Sequence, residues 1–249
     1  MTQYRPIGLN ETLTVGSIEE FLTTSEIATL EDLMDRFLRR THGGDIRSTY
    51  DQRRTTSIHE IPGHDTDVAM AIYEPAGRVE ITDIPANAET VLQQAFTRSQ
   101  RALRRVLPSV SSCRPWTYVE YGPGQHITPH LDGIAPNPRD WPRQIAGISV
   151  GIGTRCQGGD FFVETTSTEQ LWNPGVVGPV PGYDPAMAFA RDGADNSSPW
   201  FTATARTRWS AAPALGTALL YGSQIAHGTT PVRAGRSRKF ISWLFAEKP

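Results

Sequence analysis

Cysteine is nearly missing: Cys113 and Cys156 are the only two in 249 residues. That excludes a disulfide framework, and no Cys-x-x-Cys pair is present to hold zinc or exchange thiols. Excess charge of one sign is missing too. The 24 Lys and Arg against 26 Asp and Glu leave a formal net charge of −2, which argues against an acidic disordered tail and against a basic nucleic-acid face. No run approaches the 18 or so apolar residues of a membrane span, and the opening "MTQYRPIGLNET" has neither the basic patch nor the apolar stretch of a secretory signal. These absences lead to the expectation of a soluble, cytoplasmic protein with no nucleic-acid or membrane partner. They leave its oligomeric state open between monomer and homodimer. Internal repeats are also lacking, and the length suits one domain with a sizeable core.

What is present falls into two textures. In the first half, "LTVGSIEEFLTTSEIATLEDLMDRFLRR" reads as a short strand, a turn and a helix. Thr24 or Ser25 would cap that helix, and Ile27, Leu30, Leu33, Met34, Phe37 and Leu38 form one apolar stripe. A second helical pattern, "NAETVLQQAFTRSQRALRRVLP", ends before Pro108, with Arg101, Arg104 and Arg105 on a solvated face. From about Trp116 the runs become short, β-branched and aromatic: "TYVEY", "QIAGISVGI", "GDFFVE", "GTALLY" and "KFISWLF". Each has strand length, which predicts a β-sandwich or barrel. The expected organisation is one domain over 1–249, with strand and helix support to about 110 and a β core from about 111. Between Asn173 and Trp200 a stretch rich in Pro and Gly interrupts the core. A loop that long reads as a lid over a site or as a floppy insertion, and 173–205 is taken as that segment.

Histidine is scarce at six residues, yet two fall with an aspartate inside "YGPGQHITPHLDG", Tyr121 to Gly133. Side chains alternate along an extended segment, so His130 and Asp132 share a face while Leu131 turns to the core. An imidazole and a carboxylate make half of a first-row metal site, and two histidines with one carboxylate mark non-heme Fe(II) oxygenases. His227, at a strand end in "GTALLYGSQIAHGTTPVRAGRSRKFISWLF", is nominated as the second imidazole. His126 reads as a pocket-wall or solvent residue, and His42, His59 and His64 as loop residues. Arg143, Arg155 and Arg206 could be surface charges or contacts to a substrate anion. Cys156 reads as a small buried hydrophobe. Trp116, Trp141, Trp172, Trp200 and Trp209 read as packing residues, with Trp172 and Trp200 flanking the lid.

Taken together, "YGPGQHITPHLDG", "GGDFFVE", and "GTALLY" followed by "AHGTTPVRAGRSR" resemble the Fe(II)- and 2-oxoglutarate-dependent dioxygenases, in particular their prolyl 4-hydroxylase-like branch. "IEEFLTTSEIATLEDLM" resembles the strand-helix entry of that branch. The likeness runs over most of the chain but leaves 43–85 and 173–205 without a counterpart. It implies a mainly β fold with flanking helices, the double-stranded β-helix, a jelly roll related to the cupins. It also implies Fe(II) held by His130, Asp132 and His227, 2-oxoglutarate and O2 as cosubstrates, and ascorbate as a reductant in vitro.

The resemblance further implies a cation for the far carboxylate of 2-oxoglutarate, for which an arginine fork is well suited. Spacing from His227 places it at Arg236 or, by a longer step, at Arg238. Arg238 is favoured, which would put Ser242 on the cosubstrate side and send Lys239, Ile241, Trp243 and Phe245 to the other face. Tyr121 would add a second hydrogen bond to the same carboxylate. The implied reaction splits 2-oxoglutarate into succinate and CO2 and oxidises a substrate C–H bond. Related halogenases have a small residue in place of the carboxylate ligand, so Asp132 favours hydroxylation, desaturation or cyclisation over chlorination. The expected substrate is a small molecule, an amino acid or a natural-product intermediate. A peptide side chain is the alternative, and a non-redox cupin-like metal-binding or isomerase protein is the competitor from another class.

Overall fold

The computed structural model describes residues 6–42, 61, 63–132, 140–153, 156–173 and 179–248. The first half forms its helices where stripes and caps direct. After α1 (Leu9–Thr12) and β1 (Val15–Ile18) comes α2 (Thr24–His42). Its cap is Thr23, one residue earlier than expected. The Thr23 hydroxyl accepts from the Glu26 N–H at 3.3 Å, while the Glu26 carboxylate accepts from the Thr23 N–H at 2.8 Å. This reciprocal box satisfies two donors that a helix start leaves unpaired. Part of the stretch without a sequence counterpart forms α3 (Thr66–Tyr73), capped by Asp65, and β2 (Val79–Ile81). His59 lies outside the described residues, and His64 is exposed. The second helical pattern is α4 (Ala86–Val106), with Arg101, Arg104 and Arg105 exposed.

All five apolar runs of the second half fall on strands. These are β3 (Ser112–Cys113), β4 (Thr117–Tyr121), β5 (Ile127–His130), β6 (Arg143–Ile152), β7 (Gln157–Gly158) and β8 (Phe161–Thr165). After α5 (Pro199–Ala203) come β9 (Thr207–Ala211), β10 (Ala218–Gly222), β11 (Ala226–Thr229), β12 (Val232–Ala234) and β13 (Ser237–Ala246). One sheet runs β1-β10-β6-β13-β4-β2 with β3 also on β13, and a smaller one runs β5-β11-β8-β9. All pairings in both sheets are antiparallel.

Alternation along the strands divides the large sheet into two faces. Tyr118, Ile148, Val150, Leu220, Phe240 and Leu244 join Leu30, Met34, Leu92 and Phe96 of α2 and α4 in the main core. Each such fully buried large side chain contributes roughly 1.5–3 kcal/mol relative to exposure. Ser149, Tyr221, Lys239, Ile241 and Trp243 lie on the other face and line a cavity with His130, Phe161 and His227 of the small sheet. This is the jelly-roll arrangement, with α2 and α4 packed on the outer face of the large sheet. No described helix is long and apolar enough to cross a membrane.

The described part of the expected lid, 179–205, is tied down along its length. The Ile7 N–H donates to the Gly182 carbonyl at 3.0 Å. The Gln224 amide accepts from the Ala190 N–H at 2.5 Å and donates to the Ala188 carbonyl at 3.0 Å. Arg143 is 1% exposed, with its guanidinium 3.9 Å from the Trp141 ring centroid and 4.1 Å from that of Tyr183. It is a stacked strut under this segment and not a surface charge. Arg206 bonds Glu164 and the Phe201 carbonyl and lies over the Phe201 ring. Arg155 lies outside the described residues. Trp209, on edge strand β9, is 61% exposed and packs no core, unlike the buried Trp116.

Candidate functional site

β5 and β11 are antiparallel neighbours whose register sets His227 directly opposite His130, with ring centroids 4.5 Å apart. Asp132 follows β5 by two residues, and its Oδ1 lies 3.7 Å from the Nε2 of both histidines. All three side chains are buried. Main-chain carbonyls fix the imidazoles: His130 Nδ1 lies 2.8 Å from the Thr128 carbonyl oxygen, and His227 Nδ1 lies 3.0 Å from that of Ile225. An N–H at Nδ1 satisfies each carbonyl, which leaves the Nε2 lone pairs pointing at a common space.

The three residues fit a metal ion. Their separations are too long for hydrogen bonds, yet one ion at roughly 2.1 Å from each donor could bridge them. Among the described residues the buried Asp132 Oδ2 finds no hydrogen-bond partner, which leaves an acceptor available to a cation. Burial, with His227 alongside, holds the His130 imidazolium well below its ordinary range, so His130 is in the neutral, ligating form. Burial raises the Asp132 carboxyl, opposed by His227 and by a hydrogen bond from the Trp243 indole. A bound cation would remove that uphill term. His126 faces its own loop, with Nδ1 3.1 Å from the Gly124 carbonyl oxygen, and stands outside the cluster.

Aromatic rings wall the site. Tyr221 lies 4.3 Å from His227 between centroids. It fits there because its cross-strand neighbour is Gly147, where a Cβ would sit 2.3 Å from the Tyr221 ring. Tyr73 meets the His130 ring edge-on at 5.2 Å, and its hydroxyl donates to Asp195 at 2.7 Å. Burial and the Asp195 carboxylate keep the Tyr73 phenol well above its ordinary range. Through Asp195, and through the Leu131 N–H bonded to the Ala194 carbonyl at 3.1 Å, segment 179–205 is attached beside His130 and Asp132.

The arginines nominated from spacing go elsewhere. Arg238 is on the helix-facing side of β13, donating 2.8 Å hydrogen bonds to the Tyr118 hydroxyl and to Asp35 of α2. Arg236 bonds Glu120 at 2.9 Å, with a side chain 37% exposed. Glu120 is 0% exposed on the outer face of β4, so both arginines serve a buried carboxylate there. The residues of β13 that face the metal cavity are Lys239, Ile241 and Trp243, and Ser242 donates outward to the Arg114 carbonyl. Tyr121 does face the cavity, and its hydroxyl accepts from Arg78 at 2.7 Å.

Two cations missed from the sequence therefore border the cavity, and their surroundings differ. Arg78 is matched by Glu80 at 2.5 Å and Glu74 at 3.3 Å. Lys239 has a hydrogen bond to the Thr229 hydroxyl at 3.3 Å, and no carboxylate within ion-pair distance among the described residues. Burial pulls its ammonium down to about 8 from 10.5. Arg78 follows a turn with no motif around it, and nothing in the sequence marks it.

No protein-family model matches the chain, and no curated protein matches it in sequence. Solved structures do match in fold. A prolyl-4-hydroxylase from Pseudomonas putida is 14% identical with a TM-score of 0.51, over 96% of this chain and 95% of that one. The viral collagen prolyl hydroxylase of Paramecium Bursaria Chlorella virus-1, in its 2OG complex, is 12% identical with a TM-score of 0.51, over 96% and 99%. A Trichoplax adhaerens prolyl hydroxylase, in complex with a hypoxia inducible factor oxygen degradation domain peptide fragment, is 10% identical with a TM-score of 0.54, over 94% and 84%. The chain thus has the jelly-roll fold of these prolyl hydroxylases, as the resemblance of its motifs implies.

Proposed function

We propose that the protein is an Fe(II)- and 2-oxoglutarate-dependent oxygenase that oxidises an unactivated C–H bond of a small molecule, an amino acid or natural-product intermediate. The observation that carries this reading is the convergence of His130, Asp132 and His227 inside a jelly roll, with an unsatisfied Asp132 oxygen. His130, Asp132 and His227 would hold the iron, which with 2-oxoglutarate and O2 supplies a two-electron oxidation that releases succinate and CO2 and leaves one oxygen atom for the substrate. Lys239 takes the far carboxylate, because among the described residues it has no carboxylate at ion-pair distance, whereas Arg78 has two. Tyr121 supports it: with the Arg78 N–H donating to its oxygen, the phenol proton remains to be given to that carboxylate. Tyr73, Tyr221 and Phe161 exclude water from the ligands.

The attachment of segment 179–205 beside the ligands supports an enclosed small substrate. The peptide-bound Trichoplax neighbour favours the second reading, oxidation of a peptide side chain. The test is succinate release from 2-oxoglutarate under air with Fe(II) and ascorbate, with panels of amino acids and peptides screened by mass spectrometry for a gain of one oxygen. Absence of succinate from a protein that also fails to retain iron would leave the cupin-like, non-redox reading.

A further inference from the structure

Lys239 stands between two cavities. Lys239, Ser149 and Phe161 border the cavity beside His130 and His227 and also a second cavity of about 180 Å³. Gly151, Gly159, Leu215, Leu219 and Ser237 wall this second space. In register, the residue opposite Lys239 on β6 is Gly151. A Cβ built at Gly151 meets only Leu215 Cδ2, at an ordinary 3.8 Å, so no close contact requires glycine there. Glycine weakens a strand interior and often marks a place reserved for another molecule. The ammonium therefore stands at a waist, on a flexible four-carbon stem, with room behind it. An arginine fork locked between carboxylates would measure a diacid's length strictly, whereas a point charge on a mobile stem does not.

We propose that this pocket accepts 2-oxo dicarboxylic acids one methylene longer than 2-oxoglutarate, with Lys239 drawn back toward the second cavity to hold the far carboxylate. The inference rests on the oxygenase reading above. One methylene lengthens an extended chain by roughly 1.3 Å, a step that the flexible lysine stem can follow. The balance of the reaction is unchanged. The C1–C2 bond breaks to release CO2, the keto carbon gains one oxygen of O2 to become the carboxylate of the five-carbon diacid, and the other oxygen enters the substrate C–H bond.

The experiment is calorimetric titration, without oxygen, of the Mn(II)-loaded full chain with 2-oxoglutarate and with 2-oxoadipate. In the wild type the two affinities should lie within about tenfold of each other. Gly151→Val fills the second cavity and should shift the ratio at least tenfold against 2-oxoadipate. Leu215→Trp, on the exposed rim, should shift it in the same direction and serves if the strand variant fails to fold. Binding of 2-oxoglutarate with 2-oxoadipate more than about a hundredfold weaker overturns the inference alone, as does an unchanged ratio in both variants. If neither acid binds the loaded protein, the oxygenase reading falls and takes the inference with it.

Discussion

Replacing Lys239 with methionine should make the protein more stable and less able to bind its cosubstrate. The ammonium is buried and is pulled from 10.5 to about 8, the balance of desolvation and Arg78, which lower it, against Cys156 and Asp160, which raise it. The difference, 10.5 − 8, is about 2.5 units, which at 1.36 kcal/mol each is about 3 kcal/mol of stability withheld at neutral pH. The sign follows from linkage. Between about pH 8 and 10.5 the unfolded chain holds more protons than the folded one, so stability rises with pH through that window. Below it the whole deficit is present. Methionine has similar volume and no charge, so Lys239→Met should gain about 1–3 kcal/mol at pH 7 after repacking losses. For a chain of this size that is a rise in Tm of roughly 3–8 °C. The gain should shrink as pH rises from about 8 toward 10.5, because Lys239 is neutral in both states only above that window. Thermal melting of both proteins by circular dichroism at pH 7 and pH 10 measures it. Titration with 2-oxoglutarate should show at least a thirtyfold loss of affinity, about 2 kcal/mol, because a charge-assisted contact is gone. A variant less stable than wild type at pH 7, or an equal difference at both pH values, would refute the claim that Lys239 is an uncompensated buried charge. Unchanged 2-oxoglutarate affinity would remove it from the site.

Asp132→Ala should abolish turnover and lower retained iron at least tenfold, measured by metal analysis after dialysis; an active variant would show that the site is misplaced. Arg238→Ala should lose about 2–4 kcal/mol of stability, because buried Glu120 loses a cation and α2 loses its tie to β13, while 2-oxoglutarate affinity changes less than threefold. A raised 2-oxoglutarate requirement at full stability would return Arg238 to the cosubstrate. Tyr121→Phe should weaken 2-oxoglutarate binding about fivefold, one hydrogen bond's worth, with no effect on retained iron. An unaltered affinity would assign Tyr121 to holding Arg78 alone.

The parity of β13 shows where reading the sequence fails. In "KFISWLF" both alternating sets are apolar, since Phe240 and Leu244 pack the helices while Ile241 and Trp243 face the cavity. With large hydrophobics on both faces, alternation cannot say which face is inward. Register decides it, through Lys239 opposite Gly151 on β6 and Val119 on β4. The polarity that was visible, Arg236 and Arg238, belongs to Glu120 on the outer face, a partner 116 residues away in the chain from Arg236. The α2 cap shows a milder version of the problem. Thr23, Thr24 and Ser25 are all competent, and only the reciprocal bond to Glu26 selects Thr23.

Local chemistry was enough for the two helical stripes, the strand-length runs and the shared face of His130 and Asp132, because each depends on periodicity within a few residues. His227 could be nominated because it follows one apolar strand-length run and precedes another, although it lies within β11 and not at a strand end. What tertiary structure alone decided was which cations border the cavity beside His130 and His227, that Arg78 and Tyr121 form a pair there, and that Lys239 borders a second cavity as well. Those are contacts between strands far apart in the chain, and no local pattern encodes them.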